Sequence, residues 1–237
     1  HRAGELNRPK EAIMERAVFD QKYRKRLEKL STTNVSDALD KAGIRGAVIG
    51  IRPVFGMPKV VGLAVTIKIM AAGMTRSKHH LGIEAIASAQ KGDVIAIDNR
   101  GDIQNNCWGE ILSCAAKMKG VSGVVVDGAA RDVDECEDMG FPVFARGVVP
   151  ITARGRIMQE DFNCMIRLGD VQVRPGDVVV GDINGVVVIP PEKIEEVLVE
   201  AEKIMEKEAN MKKDILAGRD IMEVDKKYSY EQMLQKE

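Results

Sequence analysis

The stretch from Trp108 to Cys136, WGEILSCAAKMKGVSGVVVDGAARDVDEC, decides how the chain folds. Its first part places Ile111, Leu112, Ala115 and Met118 on one face at helical spacing, and Gly120 stops the helix. VSGVVV follows as a largely apolar run, the mark of a strand covered on both faces. RDVDE then opens a second helix. Working outward, DVIAID (93–98) is an equally apolar strand on one side, and 142–145 is its counterpart on the other. The predicted order is strand 93–98, helix 106–119, strand 121–126, helix 132–139 and strand 142–145. Apolar strands separated by helices imply parallel pairing, so the centre reads as a βαβαβ unit of an α/β protein.

The flanks read differently. Residues 9–30 form a charged amphipathic helix, and STTNVSDALDKAG (31–43) a short one, with a Ser or Thr cap and Gly43 at its end. VVGLAVTIKIM (60–70) is a half-buried strand, and 81–90 is helical. After Gly155 come short strands, CMIRL, VQV, DVVVGD and GVVVIP, with turn chemistry in RPGD (174–177) and DINGV (182–186). This part reads as antiparallel β closing onto the α/β layer. Pro190-Pro191 starts a long charged helix to about Ala217, which Gly218 ends, and a short arm runs to Glu237. The expected divisions are a helical extension (1–30), an α/β domain (31–190), and a C-terminal helix and arm (191–237) packing on the domain or on a neighbouring subunit.

Composition narrows the function. In 237 residues, 35 Lys and Arg nearly cancel 36 Asp and Glu, so no charge excess draws the chain to nucleic acid or an anionic membrane. Few aromatics argue against a base-stacking surface. No apolar run reaches the roughly 18–20 residues that span a bilayer, and the charged opening lacks the apolar centre of a signal peptide. Cys107, Cys114, Cys136 and Cys164 form no C-x-x-C pair and read as reduced, mostly buried thiols. A cytoplasmic location is expected. Nucleotide loops and the G-x-S-x-G elbow are absent from the sequence.

The chemistry-bearing residues lie where the two βα turns end. Arg131 and Asp132 pair a fork-shaped cation with a carboxylate, suited to gripping a substrate carboxylate and holding a hard cation. Asp132 with Glu135 also fits a helix cap with a capping box, and both roles stay open. Glu110 lies one helix and one strand earlier, so it returns to the same sheet edge, where α/β folds bind ligands. As a first-turn acid it also suits the helix dipole. The backbone N–H groups of Ile111 and Leu112 start that helix and could bind a carboxylate. Glu208 interrupts the apolar seam Ile194, Val197, Ala201, Ile204, Met211, Ile215 of the last helix, so it needs a partner, which a neighbouring subunit could supply. Arg76, Lys78 and His79 read as a cationic rim. His80 and Glu84, at i, i+4, are too few for a metal site.

With these residues in view the chain resembles the RraA-like family, which includes class II 4-hydroxy-4-methyl-2-oxoglutarate/4-carboxy-4-hydroxy-2-oxoadipate aldolases and the regulator of ribonuclease E activity. The resemblance extends from about Thr32 to Gly218 and is carried by TTNVSDALDKAG, VGLAVT, KGDVIAIDN, WGEIL, GVVVDGAARDVDE, VRPGDVVVGDINGVVVIP and the late helix. It implies a three-layer ββα swivelling sandwich assembled as a trimer or a dimer of trimers. It also implies that Asp132 ligates Mg²⁺ or Mn²⁺, that Arg131 binds the substrate and steadies an enolate, and that Glu110 and a neighbouring subunit's Glu208 hold water at the metal. The family more often has Asp where Glu110 stands, and a GDN-type turn where this chain has GMTRSKHH. The implied reaction is cleavage of a 4-hydroxy-2-oxo acid to pyruvate and a second carbonyl compound through a metal-stabilised enolate, with oxaloacetate decarboxylation as a side activity. The alternative is a non-catalytic regulator that binds a ribonuclease.

Overall fold

The structure is a computed structural model, and it describes residues 15–75 and 79–229. Its centre is four parallel strands, β3 (Val60–Ala71), β4 (Val94–Trp108), β5 (Gly123–Ala130) and β6 (Val143–Val148), paired in that order. The helices α4 (Ile83–Ser88), α5 (Glu110–Met118) and α6 (Val133–Asp138) connect or precede these strands and cover one face. Alternation along each strand sorts the side chains: Ile95, Ile97, Val124 and Val126 face the helices, while Val94, Ala96 and Val125 face the opposite layer.

That opposite layer is antiparallel. β10 (Val178–Asp182) pairs with β3 and with β11 (Gly185–Ile189), and β1 (Ala47–Val48) extends the sheet beyond β11. At the other end β2 (Arg52–Pro53) pairs with β6. Only Ile49–Ile51 separate β1 from β2 along the chain, so the sheet curls until its two ends are neighbours. The hairpin β8 (Ile166–Leu168) and β9 (Val171–Val173) fills the inside of the curl with Ile166, Leu168, Val171 and Val173. Helix, parallel sheet and antiparallel β thus form three layers, as the α/β reading anticipates.

A third cluster lies under the chain ends. The segment α1 (Arg16–Val18), a π-helical stretch Phe19–Arg24 and α2 (Lys25–Leu27) contributes Phe19, Tyr23 and Leu27. These pack with α3 (Thr32–Lys41) against Ile194, Val197, Leu198, Ala201 and Ile204 of α7 (Ile194–Leu216). Each buried Val, Leu or Ile there contributes roughly 1.5–3 kcal/mol. Beyond Ile204 the seam thins: Met211 is half-buried and Ile215 is 42% exposed. Ser31 caps α3 by accepting from the Asn34 N–H at 3.1 Å, as its sequence implies.

Several boundaries differ from the sequence reading. Asn106–Trp108 belong to β4, because pairing with β5 persists through Asn106–Ala129 and Trp108–Ala130, and α5 starts only at Glu110. β7 (Ile157–Phe162), antiparallel to β3, lies outside the sequence pattern: half of its residues are polar and only Ile157 is buried. The expected arm contains helix α8 (Ile221–Tyr228), capped by Asp220 and tied to α7 by Lys227–Asp214 at 2.6 Å. The stripe expected on α5 is split. Leu112, Ser113 and Ala116 are buried, but Ile111 and Met118 are 76% and 83% exposed. The parts of the expected terminal segments at 9–14 and 230–237 lie outside the described residues, as do Arg76 and Lys78.

Candidate active site

Parallel pairing continues to the last residue of β4. Trp108 stands opposite Ala130, and the Arg131 N–H donates to the Trp108 carbonyl at 3.0 Å. Gly109-Glu110 therefore emerge beside Arg131-Asp132, which is why a separation of one helix and one strand returns these residues to a common edge. Here they line a cavity of about 550 Å³, with Ile111, Leu112, Trp108 and Asn106 on its walls and Thr152 and Arg154 arriving from the β6–β7 loop. That volume is within the range of small-molecule sites.

Asp132 occupies the cap position of α6, yet its side chain makes no cap hydrogen bond. Its backbone is left-handed, at φ 52° and ψ 43°, an arrangement costly for a residue with a Cβ and frequent at functional sites. The carboxylate instead accepts from the Glu110 N–H at 3.3 Å and lies 3.4 Å from Arg131 Nε. The capping-box reading of Asp132 and Glu135 is thus not what forms: the twist of the backbone swings the carboxylate from its own helix into the cavity. Gly109 makes room for it. A Cβ there would meet Asp132 Oδ2 at 2.8 Å and Arg131 Cγ at 3.3 Å.

Two buried polar atoms on this wall have no hydrogen-bond partner, Arg131 Nε and Asn106 Oδ1. Arg131 is close enough to Asp132 for an ion pair, but the angle does not make a hydrogen bond. Buried groups left so are rare and call for a ligand or water. Gly109 has no side chain to cap the first turn of α5, so the Ile111 and Leu112 N–H groups are orphan donors beside the cavity. Beneath, Trp108 Nε1 donates to Ser113 Oγ at 2.8 Å, and Ser113 Oγ lies 3.2 Å from Cys136 Sγ, fixing the floor. Burial pushes the Cys107 and Cys136 thiols up, so neither serves as a thiolate nucleophile.

The donor set suits a hard divalent cation. Among the described residues no three His, Cys, Asp or Glu side chains converge on one point. Mg²⁺ needs no such cage: it is commonly held by one or two carboxylates, with water and substrate oxygens completing its shell. Asp132 and Glu110 supply two carboxylates on one wall.

Glu208 lies elsewhere. It is on α7, outside the lining of this cavity, and accepts from Asn34 Nδ2 at 2.7 Å. Burial first, then the charge of Glu208, raises the neighbouring Asp37 carboxyl. Asn106, Thr152 and Arg154 escaped the sequence reading. The signal that could have found Thr152 and Arg154 is position: ITARGR follows β6, the last strand of the parallel run, whose end must also face the cavity.

The profile of the RraA-like family, described as Aldolase/RraA, matches residues 32–188. The chain belongs to the RraA-like family. A Halalkalibacterium halodurans relative, named provisionally as a 4-hydroxy-4-methyl-2-oxoglutarate aldolase, is 38% identical over 73% of this chain and 79% of its own. Protein DlpA of Legionella pneumophila is 31% identical over 94% of this chain, which spans 36% of that longer protein. The crystal structure of Streptomyces coelicolor RraAS2, described as an unusual member of the RNase ES inhibitor RraA protein family, superposes with a TM-score of 0.73. It is 28% identical over 80% of this chain and 94% of its own. The RraA-like family thus includes proteins named as aldolases and as ribonuclease inhibitors. Among the described residues no helix is long and apolar enough to cross a membrane.

Proposed function

We propose that this RraA-like protein is a divalent-metal-dependent lyase that cleaves a 4-hydroxy-2-oxo acid to pyruvate and a second carbonyl compound, and that decarboxylates oxaloacetate at the same site. The observation that carries this reading is the Asp132 carboxylate, turned into the cavity at the expense of a left-handed backbone, beside an Arg131 Nε that makes no hydrogen bond. Relatives named as aldolases support it.

Asp132 would hold Mg²⁺ or Mn²⁺, with Glu110 holding water beside it, and the ion when bound supplies Lewis-acid polarisation of the 2-oxo group. The chain's own groups do the rest. Arg131 grips the substrate oxygens with its fork of donors, and the Ile111 and Leu112 N–H groups take the 1-carboxylate. Glu110 accepts the 4-hydroxyl proton, through a water where the reach is too long. As that proton leaves, the 4-oxygen becomes a carbonyl and the C3–C4 bond breaks. Its electron pair passes to the 2-oxo oxygen as an enolate, whose charge faces Arg131. Returning the proton to C3 releases pyruvate. Loss of carbon dioxide from oxaloacetate gives the same enolate, so one constellation serves both reactions.

We further propose that the protein works as a trimer or a dimer of trimers. The exposed Ile111 and Met118 and the outer half of the α7 seam supply apolar surface for such contacts, and Glu208 of a neighbouring subunit would help orient water. The ribonuclease-regulator alternative makes no use of the groups in the cavity that lack hydrogen bonds.

The reading is tested by adding 4-hydroxy-4-methyl-2-oxoglutarate or oxaloacetate with Mg²⁺ and following pyruvate. Turnover is expected to vanish in Asp132→Ala and in EDTA. Turnover that survives either treatment refutes it.

A further inference from the structure

Asn106 stands on the wall of the cavity and is only 5% exposed, yet among the described residues neither atom of its side-chain amide makes a hydrogen bond. Its backbone is held on two sides. Asn106 pairs with Ala129 of β5, and its N–H donates to the Ile151 carbonyl at 3.4 Å, which sets it against the β6–β7 loop. Trp108 and Leu112 give the same cavity apolar surface, and a leucine in place of Asn106 would extend that surface without stranding a polar group. An amide buried here costs stability unless a ligand completes it.

The charged groups around it already have duties in the proposed cleavage. Asp132 faces the ion, Arg131 and the Ile111 and Leu112 N–H groups take the oxygens of the oxo acid end, and Glu110 takes the 4-hydroxyl proton. Asn106 differs from all of these. It is neutral, and it offers one acceptor, Oδ1, beside one donor, Nδ2. A carboxylate at neutral pH has no proton to give Oδ1, and a methyl group has nothing for either atom. Two adjacent hydroxyls satisfy both: one oxygen accepts from Nδ2 while the next O–H donates to Oδ1. Thr152 follows Ile151 on the same wall and is likewise neutral. Its Oγ1 accepts from the Arg154 N–H at 3.3 Å and keeps its own proton to donate.

We infer that Asn106 is a specificity-determining residue that binds the vicinal diol of a 4,5-dihydroxy-2-oxo acid, so that the second product is a 2-hydroxyaldehyde. This rests on the proposed lyase reading, which sets the 2-oxo end of the substrate at Arg131 and Asp132. Nδ2 donates to the 4-oxygen, whose proton still passes to Glu110, and the 5-hydroxyl donates to Oδ1. The C3–C4 bond breaks, its electron pair passes to the 2-oxo oxygen, and the proton taken by Glu110 returns at C3. Pyruvate and the hydroxyaldehyde together contain every atom of the substrate, so no further reactant is needed.

The inference is tested by binding, without any turnover. Calorimetry in the presence of Mg²⁺ compares 2,4,5-trihydroxypentanoate with 2,4-dihydroxypentanoate of the same configuration. Both carry a hydroxyl in place of the 2-oxo group, so neither can cleave, and they differ only in the 5-hydroxyl. The wild-type protein is expected to bind the trihydroxy acid about 10-fold more tightly, the scale of leaving one buried acceptor unsatisfied. Asn106→Leu keeps the branched shape, removes both polar atoms and is expected to bind the two acids equally. Asn106→Ala, which adds no bulk, is expected to do the same. No preference in the wild type, or a preference that survives either substitution, overturns the inference. An amide that merely supported the fold would change the binding of both acids alike and leave the preference standing. Pyruvate release from 4-hydroxy-4-methyl-2-oxoglutarate, measured on the same wild-type sample, reports separately on the lyase reading.

Discussion

Two ends of the molecule treat polar groups in opposite ways. Around α3 and α7 charges find partners. Asp182 accepts from the Thr32 N–H and hydroxyl at 2.7 and 2.6 Å, Arg26 forks onto Glu202 at 2.8 and 2.7 Å, and Lys41 meets Glu200 at 2.7 Å. At the cavity, Arg131 Nε and Asn106 Oδ1 are buried without a hydrogen bond, and Asp132, 3.4 Å from Arg131 Nε, is held in a left-handed backbone without capping its helix. Partnered charges fix where elements lie. Buried polar groups left without a hydrogen bond cost stability and persist where a ligand completes them. The contrast separates the residues that hold this fold from those that use it.

The largest effect is expected where the contrast is sharpest. Asp132→Gly should lower kcat/KM for pyruvate release by about 1,000-fold or more, the scale of losing metal-assisted charge stabilisation. Glycine also relieves the left-handed backbone, worth roughly 1 kcal/mol. The melting temperature should therefore hold or rise, and a clear fall would show that Asp132 serves the fold after all.

Asp182→Ala tests the partnered end. Removing hydrogen bonds to a charged acceptor should cost about 2–3 kcal/mol in denaturant unfolding at neutral pH. The effect depends on pH with a definite sign. Burial pulls the Asp182 carboxyl up, but the bonds from Thr32 and Asn184 and the charge of Lys59 together bring it below the usual carboxylate range. A pKa lowered by folding stabilises fully above the unfolded value, near pH 4, and is lost as pH falls through the folded value. The gap between wild type and Asp182→Ala should narrow below about pH 4. A gap that stays constant from neutral to acid pH would mean that the ionised form gives no advantage.

The smallest expected effect is at the border between the two regimes. Ser113→Ala strands the buried Trp108 N–H under the cavity floor and should cost about 1–2 kcal/mol in unfolding free energy. Unchanged stability would mean that Trp108 finds another acceptor.

The parallel core was legible because its information is local. Unbroken apolar strands such as Val124–Val126, punctuated by helices, leave few alternatives, and the spacing of Glu110 from Arg131-Asp132 follows from that topology. What was missed depends on contacts made far along the chain. β1 and β2 are too short to carry a periodic signal, and β7 is a strand without regular alternation that only β3 makes recognisable. The helical stripe on α5 is one apolar face in the sequence, yet Ile111 and Ala115 line the cavity. An apolar face turned to a cavity has the same sequence pattern as one turned to a core. Capping and ligand-holding likewise share the pattern Asp-x-x-Glu, and only the backbone angle at Asp132 separates them.

Gly109 has a consequence for any attempt to reshape this protein. The hydrogen atom at its α-carbon is all that fits between two neighbouring turns, so adding even a methyl group there displaces an oxygen of Asp132 without altering a single charge. A graded series of small side chains at this one position would act as a wedge of adjustable width, separating how far the cavity can be distorted from which of its groups are present.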